Sequence, residues 1–231
     1  MSNWADAVNT ALSREVTPQR AAARRVGEAL RDLIDHVVAT SAPVEALEGV
    51  AEVVEALTRT VMKYPQGRLY EGFSETGPAG DPYAFFDNSP IIGLANPLAP
   101  PIRMSVEEDG EGEGSGGQVV KGRVRYGAPY EGPPGCVHGG YVAAAFDEVL
   151  GMTQSITGKP GMTGTLTVRY RKPTPLFSDL LFEGRVDRVE GRKIFTVGKS
   201  YANGELTCEA EAVFISVDFA KIAQLYDNRP R

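Results

Sequence analysis

The chain has 231 residues, 42% of them hydrophobic and 23% charged, with a formal net charge of −6 at neutral pH; that balance predicts a soluble chain with one good core and an accessory segment. No apolar run approaches the ~20 residues of a membrane span, and the opening MSNWADAVNTALSREV lacks the basic-then-apolar layout of a secretory signal, so a cytoplasmic protein is expected, without a membrane partner. The acidic balance argues against broad nucleic-acid binding, so any anionic ligand must be met by a local cluster of cations.

In chain order, Thr17-Pro18 sets a capping residue before a proline, and Val26, Leu30, Leu33, Ile34, Val37 and Val38 follow at helical spacing. Residues 41 to 64 repeat the design, with Val44, Leu47, Val50, Val54, Leu57 and Val61 along one stripe. Residues 1–64 are therefore expected to form a helical N-terminal extension built on a helical hairpin. Residues 65–101, rich in Gly, Pro, Asn and Asp, read as linker and loops.

From residue 102 the pattern changes to short alternating segments, at 102–107, 118–125, 163–171, 180–189, 193–201 and 206–217. Turn chemistry separates them: EEDGEGEGSGG after the first, EGR after the fourth, ANGE after the fifth. The acidic glycine loop would repel phosphate, so it reads as a solvated hairpin tip rather than a phosphate cradle. One helix, 139–156, interrupts the strands, and Ala143, Ala144 and Ala145 are small enough for a sheet to close around it. The expected class is α+β, with a curved antiparallel sheet wrapped around one central helix over residues 102–218. This resembles the architecture called hotdog. Residues 219–231 are read as a tail.

The stretch GPPGCVHGGYVAAAFDEVLG, 132 to 151, carries one of the chain's two histidines. Its order suits hydrolysis of a thioester, which needs donors for a developing oxyanion and a base for the attacking water. Gly139 and Gly140 fall at a helix start, where unpaired N–H groups and the positive end of the dipole meet an anion; a bare tight loop entering a helix explains the same glycines. Asp147 lies close to two turns past Gly140 and shares the face of the helix start, whereas Glu148 is rotated by ~100°. Asp147 is thus the better candidate base, against the plainer reading of a surface acid. His138 is expected to shape the loop. A Cys136–His138 dyad competes as nucleophile and base.

Metal ligation has little support, since two histidines and the cysteines Cys136 and Cys208 give no ligand spacing or CxxC pair. No disulfide framework, Gly-x-Ser-x-Gly elbow or cofactor is expected. Thr163, opening the strand after the helix, offers a hydroxyl to hold water against Asp147, or is only a strand-favouring residue. Arg169, Arg171 and Lys172 concentrate positive charge and suit the phosphates of a nucleotide, unless they are merely solvated.

With those residues in view, GPPGCVHGGYVAAAFDEVLGM, GMTGTLTVRYRKPTPL and VEGRKIF resemble the hotdog acyl-CoA thioesterases of the phenylacetate-pathway (PaaI-like) group, in particular the thioesterase superfamily member 4-like proteins. The resemblance covers about residues 89–217 and leaves out 1–64. It implies hydrolysis of an acyl-CoA by a dimer or pair of dimers. The acid at Asp147 would be base or nucleophile, Gly139 the oxyanion donor, His138 a residue shaping that hole and Thr163 the water-positioning hydroxyl. An Asn that related subgroups place before the His is missing here.

A distance argument points the same way. Seven residues of helix from Gly140 to Asp147 rise ~10.5 Å, yet base and oxyanion donor should sit only ~6 Å apart. Each site is therefore expected to combine Gly139 of one chain with Asp147 of a second. A non-catalytic acyl-CoA-binding protein of the same fold, or a scaffold using the helical extension, are the competing functions.

Overall fold

The computed structural model describes residues 16–64, 86–108, 117–159 and 161–217. The expected tail, most of the linker and the acidic loop at 109–116 lie outside the described residues.

Helix α1 (Pro18–Ala39) starts as the sequence predicts, with the Thr17 side chain accepting from the Arg20 N–H. Helix α2 (Val44–Val61) follows after a short connection. Only part of the apolar stripe of α1 turns inward: Leu30, Leu33 and Ile34 are half-buried, Val26, Val37 and Val38 are exposed, and Gly27 is its one fully buried residue. Gly27 lies so close to the loop before the sheet that a Cβ there would sit 2.7 Å from the Leu94 carbonyl oxygen. Polar contacts do the rest. Arg20 and Arg24 each reach the buried Asp87 carboxylate at 2.8 Å, and Arg31 donates to the Leu94 and Asn96 carbonyls at 3.0 Å. Asp35 accepts from the Ala128 N–H at 3.1 Å. Helix α2 buries none of its residues, and its stripe of Val44, Leu47, Val50, Leu57 and Val61 faces outward.

Six strands form one antiparallel sheet: β1 (Arg103–Glu108), β2 (Gln118–Val124), β3 (Gly161–Tyr170), β4 (Leu180–Glu190), β5 (Lys193–Ala202) and β6 (Glu205–Ser216), in the order β1-β2-β4-β5-β6-β3. All six match the alternating segments of the sequence to within two residues. Asn203 and Gly204, at φ 52° and 82°, close the β5–β6 hairpin, as the Asn-Gly pair predicts. Helix α3 (Gly139–Ser155) leaves β2, crosses one face of the sheet and delivers the chain to β3 at the far edge.

Close approach of α3 depends on the sheet as much as on the helix alanines. Gly184 of β4 pairs with Gly198 of β5, and a Cβ on Gly184 would lie 2.3 Å from Thr153 Oγ1 of α3. Gly122 of β2 meets Val149 in the same way. Into this floor α3 buries Val142, Ala145, Phe146, Val149 and Leu150, with Phe146 edge-on to Phe182 at 5.0 Å between ring centres. Burying such side chains contributes ~1.5–3 kcal/mol each, which fixes the rotation of α3 about its axis.

Candidate active site

The loop before α3 is pinned on both sides. The Val137 N–H donates to the Thr174 carbonyl and the His138 N–H to the Tyr130 carbonyl, both at 2.8 Å. Gly135 takes the tight turn at φ 72°. His138 then caps the helix: its Nδ1 accepts from the Gly140 N–H at 3.0 Å, which places the ring proton on Nε2. Behind the cap, Tyr130 packs edge to face with Tyr126 and with Tyr141, ring centres 5.2 Å and 4.8 Å apart. Burial pushes the Tyr126 hydroxyl well above its usual range and the Tyr130 hydroxyl to about 12, so both stay neutral.

This cap corrects one expectation. The Gly140 N–H, expected to face the substrate, is taken by His138. Gly139 is held differently, its carbonyl accepting from the Tyr170 hydroxyl at 2.8 Å. Among the described residues no group accepts from the Gly139 N–H, which lies at the positive end of α3.

Further along α3, Asp147 is exposed rather than enclosed by its apolar neighbours. Ala145, Phe146, Val149 and Leu150 turn to the sheet, and Asp147 points the other way. There its Oδ1 accepts from Thr163 Oγ1 at 2.8 Å. The pairing of β3 with β6 slips between Thr163 and Thr165, and such a bulge re-aims a side chain at a sheet rim. Gly164 at the slip is the sequence signal for it.

Glu148 faces inward, where Ser89 of the loop before the sheet donates to it at 3.4 Å. Burial, and then the neighbouring Asp147 charge, raise its carboxyl to about 7 against the opposing Ser89 hydrogen bond. Sequence reasoning weighed Glu148 only as the lesser base and missed Ser89, a loop residue with no periodicity to mark it.

The basic cluster is present but charge-balanced. Arg169 pairs with Glu211, Arg171 with Glu209 at 2.7 Å and Lys172 with Glu205 at 2.6 Å, because β6 runs antiparallel beside β3 and brings its glutamates into register. The Cys136–His138 dyad does not form: the thiol donates to the Pro134 carbonyl, and the His138 Nδ1 is taken by the cap. Among the described residues no cluster of His, Cys, Asp or Glu has metal-binding geometry, and no helix is long and apolar enough to cross a membrane.

The structure thus brings together Asp147 with Thr163, His138 with Gly140 and Gly139 with Tyr170. It leaves Gly139 and Asp147 eight positions apart on one helix, ~12 Å along its axis. The fold and site define the class: a hotdog α+β domain with an aspartate–threonine pair near the sheet edge and a histidine-capped helix start. The family description "Thioesterase superfamily" matches residues 134–209. A solved structure described as thioesterase superfamily protein RHA08564 superposes with a TM-score of 0.69 at 32% identity, covering 84% of this chain and 94% of that one. The chain belongs to the thioesterase superfamily. So broad a match takes in part of the N-terminal extension, beyond the region the sequence resemblance covered.

Among curated relatives, the acyl-coenzyme A thioesterase THEM4 of Xenopus laevis is 39% identical over 92 residues, 38% of this chain and 41% of the relative. The acyl-coenzyme A thioesterase THEM5 of Homo sapiens is 29% identical over 86 residues, 37% of this chain and 35% of the relative. The chain matches these relatives over only about two fifths of their length.

Proposed function

We propose that the chain hydrolyses the thioester of an acyl-CoA to the free acid and coenzyme A, with water activated by Asp147. The observation that carries this reading is the hydrogen bond from Thr163 Oγ1 to Asp147 Oδ1 at 2.8 Å. It fixes one carboxylate oxygen and leaves the other to take a proton from water. The hydroxide so formed adds to the carbonyl carbon, and the oxyanion is met by the Gly139 N–H at the start of a helix. Collapse breaks the C–S bond, and the proton held by Asp147 goes to the departing thiolate. Side chains and a backbone donor supply every step, so the reaction needs no metal.

Base and oxyanion donor on one helix are too far apart to share a reacting carbon, so the second half of each site comes from a second copy. The exposure of His138, Gly140, Asp147 and Thr163, and the position of β3 at an open sheet edge, support this. Two copies of α3 packed antiparallel about a two-fold axis set each helix start beside the other copy's Asp147. Arg169, Arg171 and Lys172 lie on or just after that edge strand. Their exposed pairs are screened by water and weakly held, so exchanging a glutamate for a nucleotide phosphate is an easy step.

The test is a panel of short, medium, long and aromatic acyl-CoAs followed by thiol release, with Asp147→Asn beside the unaltered chain. Release that depends on Asp147 supports the reading. Tight acyl-CoA binding with no release would make this a binding protein.

A further inference from the structure

Asp147 does not stand alone on its turn of α3, and its neighbour is built into the protein in a way the proposed reaction does not use. Glu148 reaches Ser89 at 3.4 Å. The Ser89 oxygen accepts from the Ile91 and Ile92 N–H groups, both at 3.2 Å, so its proton is directed to Glu148. Two residues before Ser89, Asp87 is locked by Arg20 and Arg24 of α1. Gly93 closes the same turn so tightly that a Cβ would lie 2.4 Å from the Ser89 carbonyl oxygen. The hydroxyl is therefore held at a fixed place by the N-terminal helix.

Successive residues of a helix point ~100° apart. Core packing sets the rotation of α3, and the Glu148–Ser89 hydrogen bond adds a polar tether on the turn from which Asp147 leaves toward Thr163. The charges around Glu148 are few. Asp147 on its own helix is the one that acts on it appreciably. Asp87, on the Ser89 loop, is neutralised by Arg20 and Arg24 of α1. The strands packed on α3 present Val120, Gly122, Phe182, Gly184, Gly198 and Ala210, and β3 presents Thr163.

Building on the proposed hydrolysis, we propose that Glu148 is a positioning residue for Asp147: as a neutral acid held by Ser89 it orients the catalytic carboxylate, and its ionisation turns the site down. In the neutral form only one negative charge stands near the reacting carbonyl. Ionisation adds a second, beside the place where an oxyanion develops and where an anionic substrate must bind. The N-terminal helix, through Asp87 and Ser89, thereby takes part in setting activity.

Two measurements on the full chain test this. The first is a carbon-13 carboxyl NMR titration of Glu148. A midpoint near the 7 that burial imposes is expected to move up in Ser89→Ala, which removes a hydrogen bond to the carboxyl, and down in Asp147→Asn, which removes the neighbouring charge. The second is the pH profile of kcat/KM with the best acyl-CoA. The fall as pH rises through about 7 is expected to vanish in Glu148→Gln, which holds the neutral shape at every pH. Glu148→Ala should lower kcat about tenfold with KM little changed, and the glutamine variant should recover most of that. A midpoint in the ordinary carboxylate range, unmoved by either neighbour, overturns the proposal. So does a pH profile that is the same with glutamine as with glutamate. If no acyl-CoA is hydrolysed, the proposed function fails, while the NMR titration still decides whether Glu148 is held by Ser89 and coupled to Asp147.

Discussion

Thr163 donates its hydroxyl proton to Asp147 across 2.8 Å, from a bulged edge strand to the central helix. Replacing Asp147 with Asn keeps the shape of that contact and removes the carboxylate proposed as base. Turnover should drop ~100-fold or more with Tm nearly unchanged, as for loss of a general base. Thr163→Ser should retain most of the rate and Thr163→Val should lose about tenfold, which separates a hydroxyl that orients the acid from a residue that only favours strands. Full activity in Asp147→Asn would sink the assignment.

Complementation tests the two-copy site. Gly139→Pro removes the N–H assigned to the oxyanion, and Asp147→Asn removes the base, so each variant alone should be inactive. After subunit exchange, a mixed dimer holds one site with both groups intact and should recover activity. Proven heterodimers without recovery would place each site within one chain.

Neutralising Arg169, Arg171 and Lys172 together should raise KM more than it lowers kcat, and the effect should shrink with salt, because exposed charges are screened over ~8–10 Å. The control is loss of their partners Glu211, Glu209 and Glu205. Removing the glutamates frees the cations and should lower KM. No change in coenzyme A affinity in either set would leave the pairs as solvated strand decoration.

Glu148 also makes stability depend on pH. Its carboxyl is raised in the fold from 4.5 to about 7, so between those values the folded chain holds a proton that the unfolded chain has lost. Stability from this group is complete below the unfolded value and declines as pH rises through the folded one, by up to about 3 kcal/mol. Thermal unfolding followed from pH 5 to pH 9 should show this decline in the unaltered chain and not in Glu148→Gln. Parallel curves would show that Glu148 ionises as an ordinary surface acid.

Two glycines give opposite expectations under one substitution. Gly184→Ala puts a Cβ 2.3 Å from Thr153 Oγ1, and overpacking of this kind destabilises by ~1–3 kcal/mol. Gly49, in α2, has no atom within 4 Å of a built Cβ, so Gly49→Ala should stabilise the helix by ~0.5–1 kcal/mol. Equal effects on Tm would contradict the close seating of α3 on β4.

How far the sequence reaches follows from the range of the forces that write it. The Thr17-Pro18 start, the Asn203-Gly204 turn, the strand alternation and the glycine start of α3 are decided by residues within a few positions of one another, so their pattern is legible in the chain. Asp147 stood out for the same reason, since helical geometry puts it on the face of Gly140 at the helix start. What the sequence left open depends on partners far apart along the chain. The charges of Arg169, Arg171 and Lys172 are balanced only once β6 lies beside β3, and Thr163 is aimed at Asp147 by a slip in that same pairing. The docking of α1 adds a buried aspartate and a close glycine contact to the half of its apolar stripe that turns inward. Ser89 meets Glu148 from 59 positions away, and burial, which no local pattern encodes, together with the Asp147 charge raises that glutamate's carboxyl to about 7.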